Sequence, residues 1–217
     1  MKKPLILILF ASMLLWGCPD TTSHSRGVYM LLDTSGSNAE ELKQAEATMN
    51  YLLGILQPGD SLAVARIDRG SFSEKDIIAA MTFDRRPSVT NQQKRIFKQK
   101  LNELKKTANG RTYSDITAGV LQSVESLNDT RAGDKYILIF SDLKEEQAKE
   151  NMPSFPIQVD GCTVAVFNVT KWRGEDFDLR EYYKRVEDWR TRVRAGGGKW
   201  KLINELEYLD SMFNGGV

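Results

Sequence analysis

Two stretches, Tyr136–Phe140 (Y-I-L-I-F) and Thr163–Val169 (T-V-A-V-F-N-V), are nearly unbroken apolar runs rich in β-branched and aromatic residues. Each is too short for a core helix and carries no alternation, so both read as strands covered on both faces. Strands of that kind belong to parallel sheets, whose crossover helices cover the two faces. Gly27–Leu32 (G-V-Y-M-L-L) reads as a third such strand, and Ser61–Ile67 (S-L-A-V-A-R-I) as a fourth.

The segments between them are helical in period. Ser37–Leu56 places Leu42, Ala45, Met49, Leu52, Leu53 and Leu56 at helical spacing, and Pro58-Gly59-Asp60 stops it. Asn91–Lys106 is a basic helix with Phe97, Leu101 and Leu104 on one face. Ser114–Leu127 turns Ile116, Val120, Val124 and Leu127 inward, and Asp178–Arg194 does so with Tyr182, Val186, Trp189 and Val193. Ile77–Phe83 follows Ile67 after a polar loop and predicts a hairpin strand running antiparallel at or near an edge. Past Gly196-Gly197-Gly198, Lys199–Ile203 reads as an edge strand. Asn204 with Glu207 predicts a capped last helix ending near Phe213. Strands alternating with helices give an α/β fold, doubly wound, with a mostly parallel sheet of about six strands and helices on both faces. The sequence shows neither an internal repeat nor a second domain.

The N-terminus has a different logic. Lys2 and Lys3 lead the apolar run Leu5–Trp16, which is shorter than the roughly 20 residues of a bilayer-spanning helix. A basic start, a short apolar middle and a small residue before a processing point describe a secretory signal. The run ends Leu15-Trp16-Gly17-Cys18, which resembles the bacterial lipobox, whose cysteine is acylated and becomes the new N-terminus. Residues 1–17 are accordingly expected to be a lipoprotein signal peptide, 18–26 a lipid-anchored tether and 27–217 the folded domain. The tether is polar, and eight or so residues reach about 30 Å at most. The domain would then sit close to a membrane of the bacterial cell envelope, on the periplasmic face of either membrane or on the cell surface. Cys162, the other cysteine, lies in an apolar run and is expected to be a buried small hydrophobe.

In doubly wound sheets ligands bind beyond the carboxyl ends of the strands. Asp33-Thr34-Ser35-Gly36-Ser37 follows the first strand, and Ser141-Asp142 follows the Tyr136–Phe140 strand. Gly110-Arg111-Thr112-Tyr113-Ser114-Asp115 opens the helix between them. Three loops thus offer hydroxyls and carboxylates with no His or Cys among them, a hard-oxygen set suited to Mg²⁺ or Mn²⁺. Neutral hydroxyls leave much of the ion's charge uncompensated, so it still attracts an anionic oxygen. Asp-x-Ser-x-Ser lets a tight turn aim three side chains at one ion, with Gly36 permitting the bend. By itself the pentapeptide would serve equally well as a turn and helix cap.

Together the three loops resemble the metal-ion-dependent adhesion site of von Willebrand factor type A domains. The likeness runs from about Gly27 to Phe213 and includes the Leu56-Gln57-Pro58-Gly59-Asp60 turn. It implies metal ligation by Ser35, Ser37 and Thr112 directly and by Asp33 and Asp142 mostly through water. Gly36, Gly110 and Asp115 would support the site. It further implies a protein partner that supplies an Asp or Glu carboxylate to the ion.

Several alternatives are weakened by the same sequence. His24, the single histidine, lies in the tether, so triad and Cys–His catalysis lack their base. The Asp-x-Asp of haloacid-dehalogenase-like phosphatases is broken by Ser35, and no enzyme is expected. The chain carries 30 Lys and Arg against 29 Asp and Glu, and the expected signal removes two of the lysines. Such a balance gives no bulk attraction to nucleic acid. Arg180, Lys184, Arg185, Arg190, Arg192 and Arg194 are interrupted by Glu181, Glu187 and Asp188 and read as a solvated helix face. Trp172, Trp189 and Trp200 read as core or edge packing. Three functions therefore stand in order: a metal-dependent binding module, a structural envelope lipoprotein binding without the metal, and a metal-assisted hydrolase.

Overall fold

A computed structural model of the chain describes residues 25–33, 39–67, 76–104, 115–145, 157–170 and 177–214. The expected signal peptide and Cys18 lie outside them, as do Ser35, Gly36, Ser37, Gly110 and Thr112.

The chain runs β1 (Arg26–Asp33), α1 (Ala39–Ile55), β2 (Ser61–Ile67), β3 (Ile77–Thr82), α2 (Pro87–Leu104), α3 (Ile116–Asp129), β4 (Asp134–Phe140), β5 (Cys162–Phe167), α4 (Leu179–Ala195), β6 (Lys199–Ile203) and α5 (Glu207–Asn214). The strands form one sheet in the order β3-β2-β1-β4-β5-β6. All neighbours are parallel except β2 and β3, which form the expected antiparallel pair at the edge.

Alternation along β1 sorts the core. Val28, Met30 and Leu32 face one side and join Met49 and Leu52 of α1, Phe97 of α2, and Leu209 and Phe213 of α5. Tyr29 and Leu31 face the other side and join Ile116 and Val120 of α3 and Val186 and Trp189 of α4. Both faces of the sheet are thus buried under helices, and β1 is buried along all but its first residue.

At the amino-terminal edge of the sheet a turn fixes how α1 enters β2. Gly59 has φ +94°, a left-handed conformation open mainly to glycine. Asp60 is 3% exposed and accepts the backbone N–H groups of Arg26 and Gln57, each at 2.7 Å. Phe83 N donates back to Asp60 O at 2.8 Å. The turn therefore ties β1, β2 and the exit of β3 together.

Some boundaries depart from expectation for local reasons. The basic helix begins at Pro87, before Asn91, because proline is preset for the first helical position and needs no N–H partner there. The Ser114 helix begins at Ile116, since Asp115 caps it. Asn204 does not cap the last helix: its Oδ1 accepts Asn168 Nδ2 at 2.9 Å, and α5 starts only at Glu207. Leu42, expected inward, is 42% exposed in the first turns of α1. Arg26, placed in the tether by sequence, is the first residue of β1. Cys162 is buried and free, as expected.

Candidate functional site

The strand order reverses at β1. From β1 the chain moves to β2 on one side, and later returns to β4 on the other. The carboxyl ends of the two parallel strands that flank this reversal form the crevice in which doubly wound sheets bind ligands. Asp33 ends β1, and Ser141-Asp142 follows β4 directly, with Leu32 paired to Phe140. Two of the sequence-predicted residues therefore stand side by side at the switch point.

Asp33 is 6% exposed, and Ser141, itself 2% exposed, donates its hydroxyl to Asp33 Oδ2 at 2.6 Å. A buried carboxylate needs such donors, because leaving a charge unsolvated in the interior is costly. Ser141 Oγ also accepts Leu143 N–H at 2.9 Å, and Lys144 N donates to Asp142 Oδ1 at 3.0 Å. These two bonds shape a tight turn in which Leu143 takes φ +60°, a left-handed conformation costing a non-glycine residue about 1–2 kcal/mol. Leu143 pays for this with a side chain 1% exposed, packed in the α3–α4 side of the core. Asp142, in contrast, keeps a side chain 18% exposed at the rim, facing solvent more than Asp33 does.

The third component is the start of α3. Gly119 lies over Leu31 near the carboxyl end of β1, which directs the helix N-terminus to the same edge. Asp115 caps it by accepting Ala118 N–H at 2.9 Å. Asp115, expected from the sequence as support for the site, is seen here as the cap of this helix. Thr117 N–H, another of the unpaired first-turn donors of a helix, goes to Glu145 Oε1 at 2.7 Å. A carboxylate there also meets the positive end of the helix dipole.

Helix α4 closes the site from behind. Arg185 Nε donates to the main-chain oxygen of Asp142 at 3.0 Å, with Nη2 4.0 Å from Asp142 Oδ2. Burial first, and then neighbouring Tyr183 and Asp142, raise the Tyr182 phenol well above its usual range. Arg192 Nη1 lies 3.2 Å from Glu145 Oε2. The solvated basic face expected for this helix is therefore only partly correct. Arg180, Lys184 and Arg194 are exposed, but Arg185 and Arg192 are half-buried and bonded to the segment after β4. Seven residues separate them, two helical turns, so both fall on the flank that faces α3 and β4. Trp189 is core, and Trp200 is half-buried on the edge strand β6.

Sequence reasoning singled out Asp33, Asp142 and Asp115, and the structure brings all three to one edge. It missed Thr117, Glu145 and the two arginines as site neighbours. Only their i, i+7 spacing on a helix with a known inward face could have separated Arg185 and Arg192 from the exposed cations. Ser35, Ser37 and Thr112 fall between these elements in sequence and lie outside the described residues. Among the described residues no group of three or more His, Cys, Asp or Glu could hold a metal ion. The hydroxyl-rich set predicted from the sequence would not form such a group. The donor chemistry at the switch point is all oxygen, which fits a hard divalent cation.

No protein-family model matches the chain, and no curated protein matches it. Solved structures do. The pilus adhesin SpaC from Lactobacillus rhamnosus GG, in its open conformation, superposes with a TM-score of 0.50 at 9% identity, over 88% of this chain and 29% of the adhesin. An aerotolerance-related membrane protein from Bacteroides fragilis, carrying multiple mutations to serine, gives 0.48 at 12% identity over 88% of this chain and 98% of that one. Proximal thread matrix protein 1 from the mussel byssus gives 0.47 at 13% identity over 89% and 47%. The chain thus spans about half of the mussel protein and under a third of the adhesin. At such identities the likeness concerns the fold alone, a doubly wound α/β sheet with helices on both faces.

Proposed function

We propose that the chain is a divalent-metal-dependent protein-binding module of the bacterial cell envelope. In this reading Ser35, Ser37 and Thr112 hold Mg²⁺ or Mn²⁺ directly, and Asp33 and Asp142 hold it mostly through water. When bound, the ion offers an electrophilic position to an anionic oxygen, and an Asp or Glu carboxylate of a partner protein fills it. The observation that carries the reading is the placement of Asp33 at the carboxyl end of β1 and of Ser141-Asp142 just past the carboxyl end of neighbouring β4, the two strands that flank the switch point. A pilus adhesin among the structural neighbours is in keeping with a binding role. The module is proposed to act without catalysis.

The direction of β1 adds a consequence. The chain enters β1 at Arg26, and the site lies at the far end of this eight-residue strand. Eight residues of strand span about 26 Å. A lipid on Cys18 would therefore leave the site facing away from the anchoring membrane, towards a soluble partner or one fixed to another layer of the envelope.

Chemical cross-linking and capture from the native envelope, in Mg²⁺ and in EDTA, tests the proposal. A partner retained in Mg²⁺, released by EDTA and lost with Asp142→Ala supports it. A partner retained equally in EDTA favours the metal-independent lipoprotein reading.

A further inference from the structure

Asp142 and Glu145 lie three residues apart in the segment leaving β4, and α4 holds both. Arg185 grips the main-chain oxygen of Asp142 at 3.0 Å, and Arg192 reaches Glu145 Oε2 at 3.2 Å. Both guanidinium groups are largely withdrawn from solvent, with side chains 23% and 25% exposed. Arg192 also lies 4.4 Å from the centre of the Trp189 ring, whose face fixes the guanidinium plane.

Glu145 has a second set of partners. Its Oε1 accepts the N–H of Thr117 at 2.7 Å and the Thr117 hydroxyl at 2.6 Å. Arg192 Nη2 donates to that same hydroxyl at 2.7 Å. The three side chains close a triangle in which each bonds both of the others. Its corners belong to three elements: the segment after β4, the first turn of α3, and α4. In sequence, Glu145 follows the proposed ligand Asp142 by three residues and Thr117 follows the proposed ligand Thr112 by five.

We propose that Thr117, Glu145 and Arg192 are positioning residues that set the spacing between the start of α3 and the Asp142 segment at the candidate metal centre, with Arg185 steadying the Asp142 main chain. The proposal rests on the metal reading given above and deepens it. A metal shell drawn from separate loops has its affinity set by how closely those loops are held to the bound geometry. Groups outside the ligand shell that orient it typically carry 10- to 100-fold in metal affinity. A fork-shaped guanidinium suits this task, because it bonds two acceptors at a fixed angle where an ammonium cannot. A surface ion pair would contribute little, but this pair is half-buried and shares a hydroxyl with a helix start.

The test is a Mn²⁺ titration of the full-length protein in mild detergent, followed by electron paramagnetic resonance, with metal-free melting of each variant alongside. Thr117→Val and Arg192→Ala should each weaken Mn²⁺ binding about 10- to 100-fold while folded. Arg192→Lys, which keeps the charge and loses the fork, should recover only part of the affinity. Arg190→Ala, on the same helix but paired with Glu187, should bind Mn²⁺ as the wild type does. Should Arg192→Ala fail to fold, the nearly isosteric Thr117→Val decides alone. Wild-type affinity in a folded Thr117→Val overturns the proposal and leaves the metal reading intact. Absence of Mn²⁺ binding by the wild type overturns both.

Discussion

Replacing Ser141 with alanine removes one oxygen that serves two partners. The hydroxyl donates to the buried Asp33 carboxylate at 2.6 Å and accepts the Leu143 N–H at 2.9 Å. A hydrogen bond to a charged group contributes about 1.5–3 kcal/mol, and a buried N–H left unpaired costs about 1–3 kcal/mol. Both atoms lie where water has little access, with Ser141 2% and Leu143 1% exposed. The left-handed turn at Leu143 also loses one of the bonds that hold it. Ser141→Ala should therefore destabilise the fold by about 3–5 kcal/mol, a large share of a typical 5–15 kcal/mol total. Urea unfolding in EDTA, followed by far-ultraviolet circular dichroism, measures this without metal linkage. For a slope of about 2 kcal/mol per molar urea, the midpoint should fall by about 1.5–2.5 M. In an Asp33→Ala background the same substitution should cost about 1.5–3 kcal/mol less, because the charged acceptor is gone. A loss below about 0.5 kcal/mol in the wild type would refute the two-partner account of Ser141.

Two glycines should respond oppositely to alanine. A Cβ at Gly196 would lie 1.7 Å from Ile157 O, so Gly196→Ala should lower stability by more than about 3 kcal/mol or prevent folding. Gly54 meets nothing within 4 Å, and Gly54→Ala should raise stability by about 0.5–1 kcal/mol in thermal melts. Burial raises the Cys162 thiol above its ordinary range, so a thiol reagent in mildly alkaline buffer should label it only after denaturant is added. Rapid labelling of the native protein would place that strand wrongly. Mass spectrometry of the mature protein should find it beginning at Cys18 with a diacylglycerol adduct, and Cys18→Ser should leave the precursor uncut; a soluble product cut elsewhere would remove the anchor.

How much the sequence revealed differs by element. Tyr136–Phe140 and Thr163–Val169 announced a doubly covered sheet because a strand buried on both faces has few polar positions to blur its reading. The edge strand β6 was found to the residue, Lys199–Ile203, since three glycines mark its start and the turn at Asn204 its end. Asn204 itself misled. Its spacing to Glu207 fits a capping box, yet its side chain is taken by Asn168, a tertiary partner 36 residues away. Arg185 and Arg192 were hidden for the same reason. Composition places them in a charged helix face; their i, i+7 spacing sets them on one flank, and the position of α4 against the Asp142 segment gives that flank its partners. For the candidate site, Asp33, Asp142 and Asp115 were legible because chain order and strand ends are local features. The triangle of Thr117, Glu145 and Arg192 depends on contacts 28 to 75 residues apart, which no local pattern encodes.

The central claim is that a divalent ion binds at the carboxyl ends of β1 and β4. Isothermal titration of Mg²⁺ into the wild type and Asp33→Ala, with melting curves at saturating ion, addresses it directly. An ion that binds only the native state adds about 2.7 kcal/mol at 100 times its dissociation constant. The account predicts one saturable site and that stabilisation in the wild type, and neither in Asp33→Ala. An equal melting shift in both proteins, or no binding by the wild type, would contradict it.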